Sequence, residues 1–130
     1  MSEISHGSAK ELKEGKFVII DGEPCKVVEV QSSAPGKHGA AKMRITGVGI
    51  FDNTKRTLLK PGDGDVEIPI VERKVVQIIS VSGNMAQIMD PKTYEVYELV
   101  VPDELKNEVE AGKEVEIMET MERRLMQRVR

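Results

Sequence analysis

The sequence predicts an all-β protein of two small barrels, an SH3-like barrel followed by an OB-fold barrel with one short helix. Short apolar runs separated by turn-forming residues follow one another along almost the whole chain, which is typical of small β-barrels. Only one segment has helical spacing, and it stands between the third and fourth of the last five strand-like runs, as in an OB-fold. The 130 residues are enough for one ordinary domain or two very small ones.

The first barrel is predicted from a hairpin with an Asp-Gly turn, a long loop over residues 31–41 and three further strands. Its strand-like runs are residues 16–20, 25–30, 42–51, 57–60 and 66–71. In the third run apolar and basic residues alternate, so a period of two sends the apolar pair inward and the basic pair outward. The pairs are Met43 with Ile45 and Lys42 with Arg44.

The second barrel is predicted from five more runs around the helical segment. These runs are residues 73–81, 85–90, 94–101, 114–121 and 123–130. The helix is expected over residues 102–112, where Leu105 and Val109 share one face. Asp103 is suited to its N-cap, and Gly112 follows its end.

Composition indicates the domain boundary and the character of the N-terminus. Pro69 interrupts the strand pattern, so we place the boundary near residues 69–71, with domain 1–69 carrying the long loop and domain 70–130 following. Residues 1–10 are polar and lack the apolar core of a signal peptide, and we expect them to be frayed. Apolar runs stay shorter than the roughly 20 residues that span a bilayer, so no membrane contact is predicted.

The single cysteine, Cys25, excludes an internal disulfide and a cysteine-based zinc site. It lies in an apolar strand-like run, where a buried, unreactive thiol is expected. This cysteine usage fits a cytoplasmic protein.

Charge is distributed unevenly although the formal net charge is only −3. Residues 36–60 hold six basic side chains against one acidic, a local charge of +5. Residues 90–122 hold eleven acidic side chains against three basic, a local charge of −8. The basic end is what a polyanion such as RNA would meet, although a solvated surface gives the same pattern.

The sequence contains no recognisable catalytic motif and no set of residues spaced to bind a metal ion. The two histidines, His6 and His38, fall in the polar terminus and the long loop, which excludes a metal site with several histidines. No nucleophile-elbow or cysteine motif accompanies His38, and Lys37 lacks the spacing of a Walker loop. We therefore expect neither an enzyme nor a metalloprotein.

An aromatic platform for stacking bases is not predicted either. Phe17 and Phe51 fall on apolar strands and are expected in the core. Tyr94 and Tyr97, three apart on one predicted strand, are expected on opposite faces. Any RNA binding should therefore depend on charge and shape more than on base stacking.

The long loop holds Lys37 between two glycines. Pro35 fixes one backbone angle, and Gly36 and Gly39 allow sharp reversals on either side, so the lysine is expected at an outward tip. Taken alone, this pattern also describes an ordinary turn lysine.

Residues 21–56 resemble the translation initiation factor 5A family, the hypusine-containing factors related to bacterial elongation factor P. The matching stretches are DGEPCKVVEV, GKHGAAK and GVGIFDNTKR, and chain length and barrel order extend the resemblance over essentially the full sequence. The C-terminal domain matches in pattern only. Pro35 and Ala40 stand where eukaryotic members carry threonine and histidine, which is similar to the archaeal branch.

The resemblance implies a modification at Lys37. In this family deoxyhypusine synthase transfers a 4-aminobutyl group from spermidine to the matching lysine, and no other cofactor is implied. Pro35, Gly36, His38 and Gly39 would shape the loop around it. Whether the product is deoxyhypusine or hypusine stays open, since many archaeal members stop at deoxyhypusine.

The resemblance also implies a role on the ribosome. The modified factor binds near the exit site, reaches toward the acceptor end of peptidyl-tRNA, and promotes peptide-bond formation at stalling sequences such as polyproline. From charge alone, we expect four residues to contact ribosomal RNA or tRNA phosphates: Lys42, Arg44, Lys55 and Arg56.

Two other functions remain open from the residues. A general RNA-binding or RNA-chaperone module would use the basic end without modification, and its RNA affinity would depend steeply on salt. An unrecognised hydrolase would need His38 as its base.

Overall fold

The computed structural model describes residues 4–33 and 42–130, and the structural statements below concern these residues. The chain forms two compact units, one ending at Ile70 and the other starting at Val71. The described residues form eleven strands and two 3-10 helices of three residues each, so the all-β fold class is confirmed. The domains 1–69 and 70–130 stay a prediction, because a compact unit need not fold independently.

The first unit, the SH3-like barrel, consists of a four-stranded and a two-stranded antiparallel sheet. The four-stranded sheet has the order β2-β3-β4-β5, and β1 pairs with β6. The strands are β1 (Ile4–Ser8), β2 (Phe17–Ile20), β3 (Glu23–Ser33), β4 (Lys42–Gly49), β5 (Lys55–Pro61) and β6 (Asp65–Pro69). Their inward side chains form one apolar core that includes Val18, Ile20, Val27 and Ile45.

The expected frayed N-terminus is wrong for the described residues from Ile4 onward. Strand β1 pairs along its whole length with β6, from Ile4 opposite Pro69 to Ser8 opposite Asp65. A 3-10 turn follows, in which the backbone N–H of Ser8 donates to the Glu11 carboxylate over 2.9 Å and Ala9 is fully buried. Main-chain pairing needs no apolar side chains, which is why composition did not predict this strand.

Alternation along β4 agrees with the prediction. Met43 and Ile45 are buried in the core, whereas Lys42 and Arg44 are exposed. Strand β3 pairs with β4 out to Ser33 opposite Lys42, with one irregularity near Val28. The two strands that flank residues 34–41 therefore end side by side at one end of the sheet.

The second unit, the OB-fold barrel, is a five-stranded antiparallel sheet with the order β11-β10-β7-β8-β9. The strands are β7 (Glu72–Ser82), β8 (Met85–Met89), β9 (Val96–Val100), β10 (Glu114–Thr120) and β11 (Arg123–Val129). A separate apolar core lies inside this sheet, with Ile78, Ile88 and Ile117 almost fully buried.

The predicted helix over residues 102–112 is reduced to a single 3-10 turn, Asp103–Leu105. Pro102 and not Asp103 occupies the N-cap position, where no side-chain cap hydrogen bond forms, and Asp103 is the first residue of the turn. Leu105 and Val109 do pack on the same core, joined by a backbone hydrogen bond of 3.1 Å.

Long-range hydrogen bonds explain the missing helical turns. The Gly112 N–H donates to the Ile78 carbonyl over 2.8 Å, and the Ile78 N–H donates to the Lys113 carbonyl over 2.9 Å, which ties this segment to β7. Gly112 has φ +92°, a conformation that glycine adopts without strain.

The aromatic residues depart from two expectations. Tyr94 has φ +62° and lies in the turn before β9, so it does not share a strand with Tyr97. Phe17 and Phe51 are half-buried and not fully enclosed in the core. The Tyr97 ring is covered by the Arg124 guanidinium, whose central carbon is 3.9 Å from the ring centre.

Candidate nucleic-acid interface

The predicted modification segment joins β3 to β4. Five predicted site residues lie outside the described residues: Pro35, Gly36, Lys37, His38 and Gly39. The described flanks fix where this segment leaves and rejoins the sheet, because Ser33 and Lys42 are directly paired.

Basic side chains begin at that end of the sheet. Lys42 and Arg44 are exposed two residues apart on β4, so they project to the same outward face. Across the sheet, Arg44 lies between Gln31 on β3 and Leu59 on β5, and Leu59 is 71% exposed. This face combines cationic, amide and apolar groups.

A shallow depression of about 620 Å³ lies over the same end of the sheet. Its described lining is Gln31, Ser32, Ser33, Lys42, Met43, Arg44 and Leu59. Hydroxyl and amide groups beside two cations can bind phosphate and ribose oxygens, and phosphate contacts of this kind position a nucleic acid without reading its sequence.

The other two predicted contact residues lie at the far end of the sheet. Lys55 pairs with Val48, which is six residues along β4 from Lys42, a distance of about 20 Å for an extended strand. The structure therefore separates Lys42 and Arg44 from Lys55 and Arg56.

Arg56 points to the opposite face of β5 from Lys55 and pairs with Asp52. Its guanidinium donates to both oxygens of the Asp52 carboxylate, over 3.2 and 2.9 Å, and the Thr54 N–H donates to the same carboxylate over 3.0 Å. These hydrogen bonds from Arg56 and Thr54 lower the pKa of Asp52 from 3.8 to about 2. The same pairing raises the pKa of Arg56.

Two glycines make room for this ion pair and for the cysteine beside it. A Cβ on Gly49 would lie 1.9 Å from an Asp52 carboxylate oxygen, and one on Gly47 would lie 2.9 Å from the Cβ of Cys25. Both positions therefore require a residue without a side chain. The GVGIFDNTKR stretch thus forms a packed turn in which Asp52 and Arg56 close over the backbone of β4.

Cys25 is buried, as predicted, and belongs to the core of the first unit. Burial raises the pKa of its thiol, although the neighbouring Arg56 opposes this effect. A thiol of this kind has little thiolate at neutral pH and reacts slowly.

In the second unit, Glu119 lies at the centre of a network of ion pairs. Glu119 accepts from Lys74 over 2.8 Å and from Arg124, which also contacts Glu95 over 3.0 Å. Burial opposes the charge of Glu119, but hydrogen bonds from Lys74 and Arg124 lower its pKa below the usual value. This network fixes β7, β10 and β11 to one another.

Two further observations concern the described parts of the chain. Among residues 4–33 and 42–130, no cluster of three or more His, Cys, Asp or Glu side chains has the arrangement of a metal site. No helix in these same ranges is long and apolar enough to cross a membrane.

Comparison with known families assigns both units. A family model described as "Translation initiation factor 5A-like, N-terminal" matches residues 2–63. A second, described as "Eukaryotic elongation factor 5A hypusine, DNA-binding OB fold", matches residues 70–130. Two matches in this order along the chain define a translation factor of the hypusine class.

Individual relatives agree with this class. The chain is 54% identical over 112 residues to translation initiation factor 5A of Methanocella arvoryzae, covering 86% of this chain and 88% of that one. It is 51% identical over 120 residues to the Archaeoglobus fulgidus factor of the same name, covering 92% and 94%. A solved structure, eukaryotic translation initiation factor 5A from Methanococcus jannaschii, superposes with a TM-score of 0.91 at 40% identity, covering 98% and 95%.

The chain belongs to the translation initiation factor 5A family. The resemblance to this family and the prediction of a non-enzymatic protein are thereby confirmed.

Proposed function

We propose that this factor binds the ribosome near the exit site and that a deoxyhypusine or hypusine side chain on Lys37 positions peptidyl-tRNA for peptide-bond formation. Translation of stalling sequences such as polyproline would depend most on this factor. The observation that carries the proposal is the match of both units to a hypusine-type translation factor, together with a lysine in the connection between β3 and β4.

The chemistry at Lys37 is an alkylation of its side-chain nitrogen. Deoxyhypusine synthase would transfer the 4-aminobutyl group of spermidine to the lysine nitrogen: the bond between that group and the secondary nitrogen of spermidine breaks, a C–N bond to Lys37 forms, and 1,3-diaminopropane leaves with the proton that the lysine nitrogen gives up. The transfer adds length and a second amine. A longer cationic arm can approach phosphates and riboses in a site too narrow for a barrel. The ribosome would perform the chemical step, and the factor would contribute by orienting the substrate.

The outward face of β4 supplies the surface that supports this role. Lys42 and Arg44 immediately follow the modification segment and would contact RNA phosphates beside the arm. Lys55 would make a separate contact at the far end of the sheet. Arg56 stays a predicted contact, but its pairing with Asp52 favours a supporting role for this side chain.

Intact-mass measurement with peptide mapping tests the proposal, on protein purified from the cytoplasm of the native host. Deoxyhypusine on Lys37 would add about 71 Da, and hypusine roughly 16 Da more. Either mass supports the proposal and links Lys37 to deoxyhypusine synthase. An unmodified Lys37 in native material contradicts it and favours a plain RNA-binding module that uses the basic face.

A further inference from the structure

One row of side chains crosses all four strands of the first unit's larger sheet. Phe17 on β2 pairs with Lys26 on β3, Lys26 with Val48 on β4, and Val48 with Lys55 on β5. Residues directly opposite each other in antiparallel strands project to the same face of the sheet. These four side chains therefore form one continuous row, named here the lysine row.

The row faces away from the core. Cys25 and Val27, the neighbours of Lys26 along β3, are both buried in the core, so alternation sends Lys26 outward. Arg56, the neighbour of Lys55, has its side chain only 18% exposed. Lys26 and Lys55 are themselves exposed. Val48 is half-buried between them, and Phe17 is half-buried on the other side of Lys26, at the β2 edge of the sheet.

The two ammonium groups are available for a ligand. Within residues 4–33 and 42–130, neither Lys26 nor Lys55 takes part in an ion pair or side-chain hydrogen bond. Arg56 on the same strand is occupied by Asp52. The apolar floor of Phe17 and Val48 can support the lysine stems while the charged heads reach solvent.

Separation along and across the sheet favours an extended polyanion as the ligand. Lys26 and Lys55 are two strand spacings apart, about 10 Å, so each can reach a different charge on one ligand. Lys42 and Arg44 lie on the same outward face, nearer the modification segment. Glu29, opposite Thr46, lies between the two basic groups, so the face offers two separate contact points and not one uniform stripe.

We infer that the lysine row is a second phosphate-binding site, in which Lys26 and Lys55 contact the sugar-phosphate backbone of RNA. This inference rests on the proposed function, which brings this face to the RNA of the ribosome or of peptidyl-tRNA. The row would bind the backbone without reading bases, because two mobile ammonium groups over an apolar floor have no fixed geometry for base edges. These contacts would fix the orientation of the first unit on the RNA. The proposed action through Lys37 belongs to the segment that follows the other end of the sheet.

Salt dependence of RNA binding by the full chain tests this inference. The double variant Lys26→Gln/Lys55→Gln is compared with Lys10→Gln/Lys13→Gln, which removes the same charge from exposed positions outside the row. The probe is a fluorescein-labelled oligouridylate, titrated across a range of salt concentrations. The row variant should lower the slope of log affinity against log salt by about 1.4, since each lost contact with a single strand contributes about 0.7.

The control pair should leave the slope close to that of the unmodified sequence. A charge-preserving variant, Lys26→Arg/Lys55→Arg, should also keep the slope, which separates lost contacts from a damaged fold. Equal slopes for the row variant and the Lys10/Lys13 control would overturn the inference. The same variants are titrated with an oligoglutamate peptide. If the Lys26→Gln/Lys55→Gln variant loses as much affinity for this peptide as for the RNA, the assignment to RNA is overturned and an acidic protein partner is indicated.

Failure here is distinguishable from failure of the proposed function. The slope is measured on RNA alone, whereas modification of Lys37 is read by mass on the same preparations. If the slope is unchanged and Lys37 is modified, only the inference about the lysine row is wrong. If the slope changes and Lys37 is unmodified, the lysine row binds RNA and the proposed function through Lys37 is wrong.

Discussion

Lys55 and Arg56 are neighbours in the sequence, but their side chains lie on opposite faces of β5. Lys55 is exposed beside Val48, whereas Arg56 points to the inner side and forms a bidentate ion pair with Asp52. Two residues of the same charge therefore have different roles. One is available to a ligand, and the other holds the β4–β5 turn in place.

Gly49→Ala should destabilise the first unit. The new Cβ would lie 1.9 Å from an Asp52 oxygen and 2.9 Å from an Arg56 nitrogen, so the ion pair must move away from β4. We expect the free energy of unfolding to fall by about 1–3 kcal/mol, the usual range for overpacking. Urea unfolding followed by circular dichroism measures the change.

The same substitution in an Asp52→Ala background is the matched control. If Asp52 is the group displaced, Gly49→Ala should cost less once that carboxylate is absent, giving a coupling energy beyond additivity. Strict additivity of the two substitutions would show that the ion pair does not depend on Gly49.

Asp52→Asn should change how stability depends on pH. The folded pKa of Asp52 is about 2, below its ordinary value of 3.8, so its charged form stabilises the fold. This contribution is complete above about pH 4 and is lost as the pH falls toward 2. The difference in unfolding midpoint between the native chain and Asp52→Asn should therefore shrink over that window. A difference that stays constant from pH 5 to about pH 2 would contradict the depressed pKa.

Strand alternation alone predicts which face of this sheet several basic side chains occupy. The rule that placed Lys42 and Arg44 outward and Met43 and Ile45 inward also separates Lys55 from Arg56. Applied to β3, it places Lys26 outward as well, although local charge density did not single this residue out. Which end of the sheet each lysine occupies depends on strand register, and register is set by pairing between distant segments that one sequence does not reveal.

Two local errors have related causes. The strand Ile4–Ser8 was missed because its stability comes from main-chain hydrogen bonds to β6, and not from its own side chains. The helix over residues 102–112 was expected because Leu105 and Val109 have helical spacing, but tertiary hydrogen bonds from Gly112 and Ile78 hold the segment in turns. In both cases long-range pairing outweighed local pattern.

Glu119→Gln should weaken the second unit. Glu119 is only 20% exposed and neutralises both Lys74 and Arg124, so a neutral side chain would leave two cations close together. A loss of about 1–3 kcal/mol in unfolding free energy is expected, less than for a fully buried pair because the site is partly solvated. Chemical denaturation gives the value.

Glu98→Gln provides the control for that variant. Glu98 is exposed on β9, and within the described ranges it lies in no ion pair. Its substitution should change unfolding free energy by about 0.5 kcal/mol or less. Equal losses from the two variants would show that the network around Glu119 adds no stability beyond its net charge.

Lys37→Arg should abolish the proposed activity without affecting folding. Arginine keeps the positive charge, but it does not offer the primary amine that accepts the aminobutyl group. In a translation system with matching ribosomes and the modifying enzyme, the variant should fail to restore synthesis of a reporter with consecutive prolines. It should leave a reporter without prolines unchanged. Lys42→Arg is the matched control, because a phosphate contact at Lys42 needs only the charge, and this variant should retain rescue. Full rescue by Lys37→Arg would show that the factor works through the charge of its basic face and not through a modified lysine.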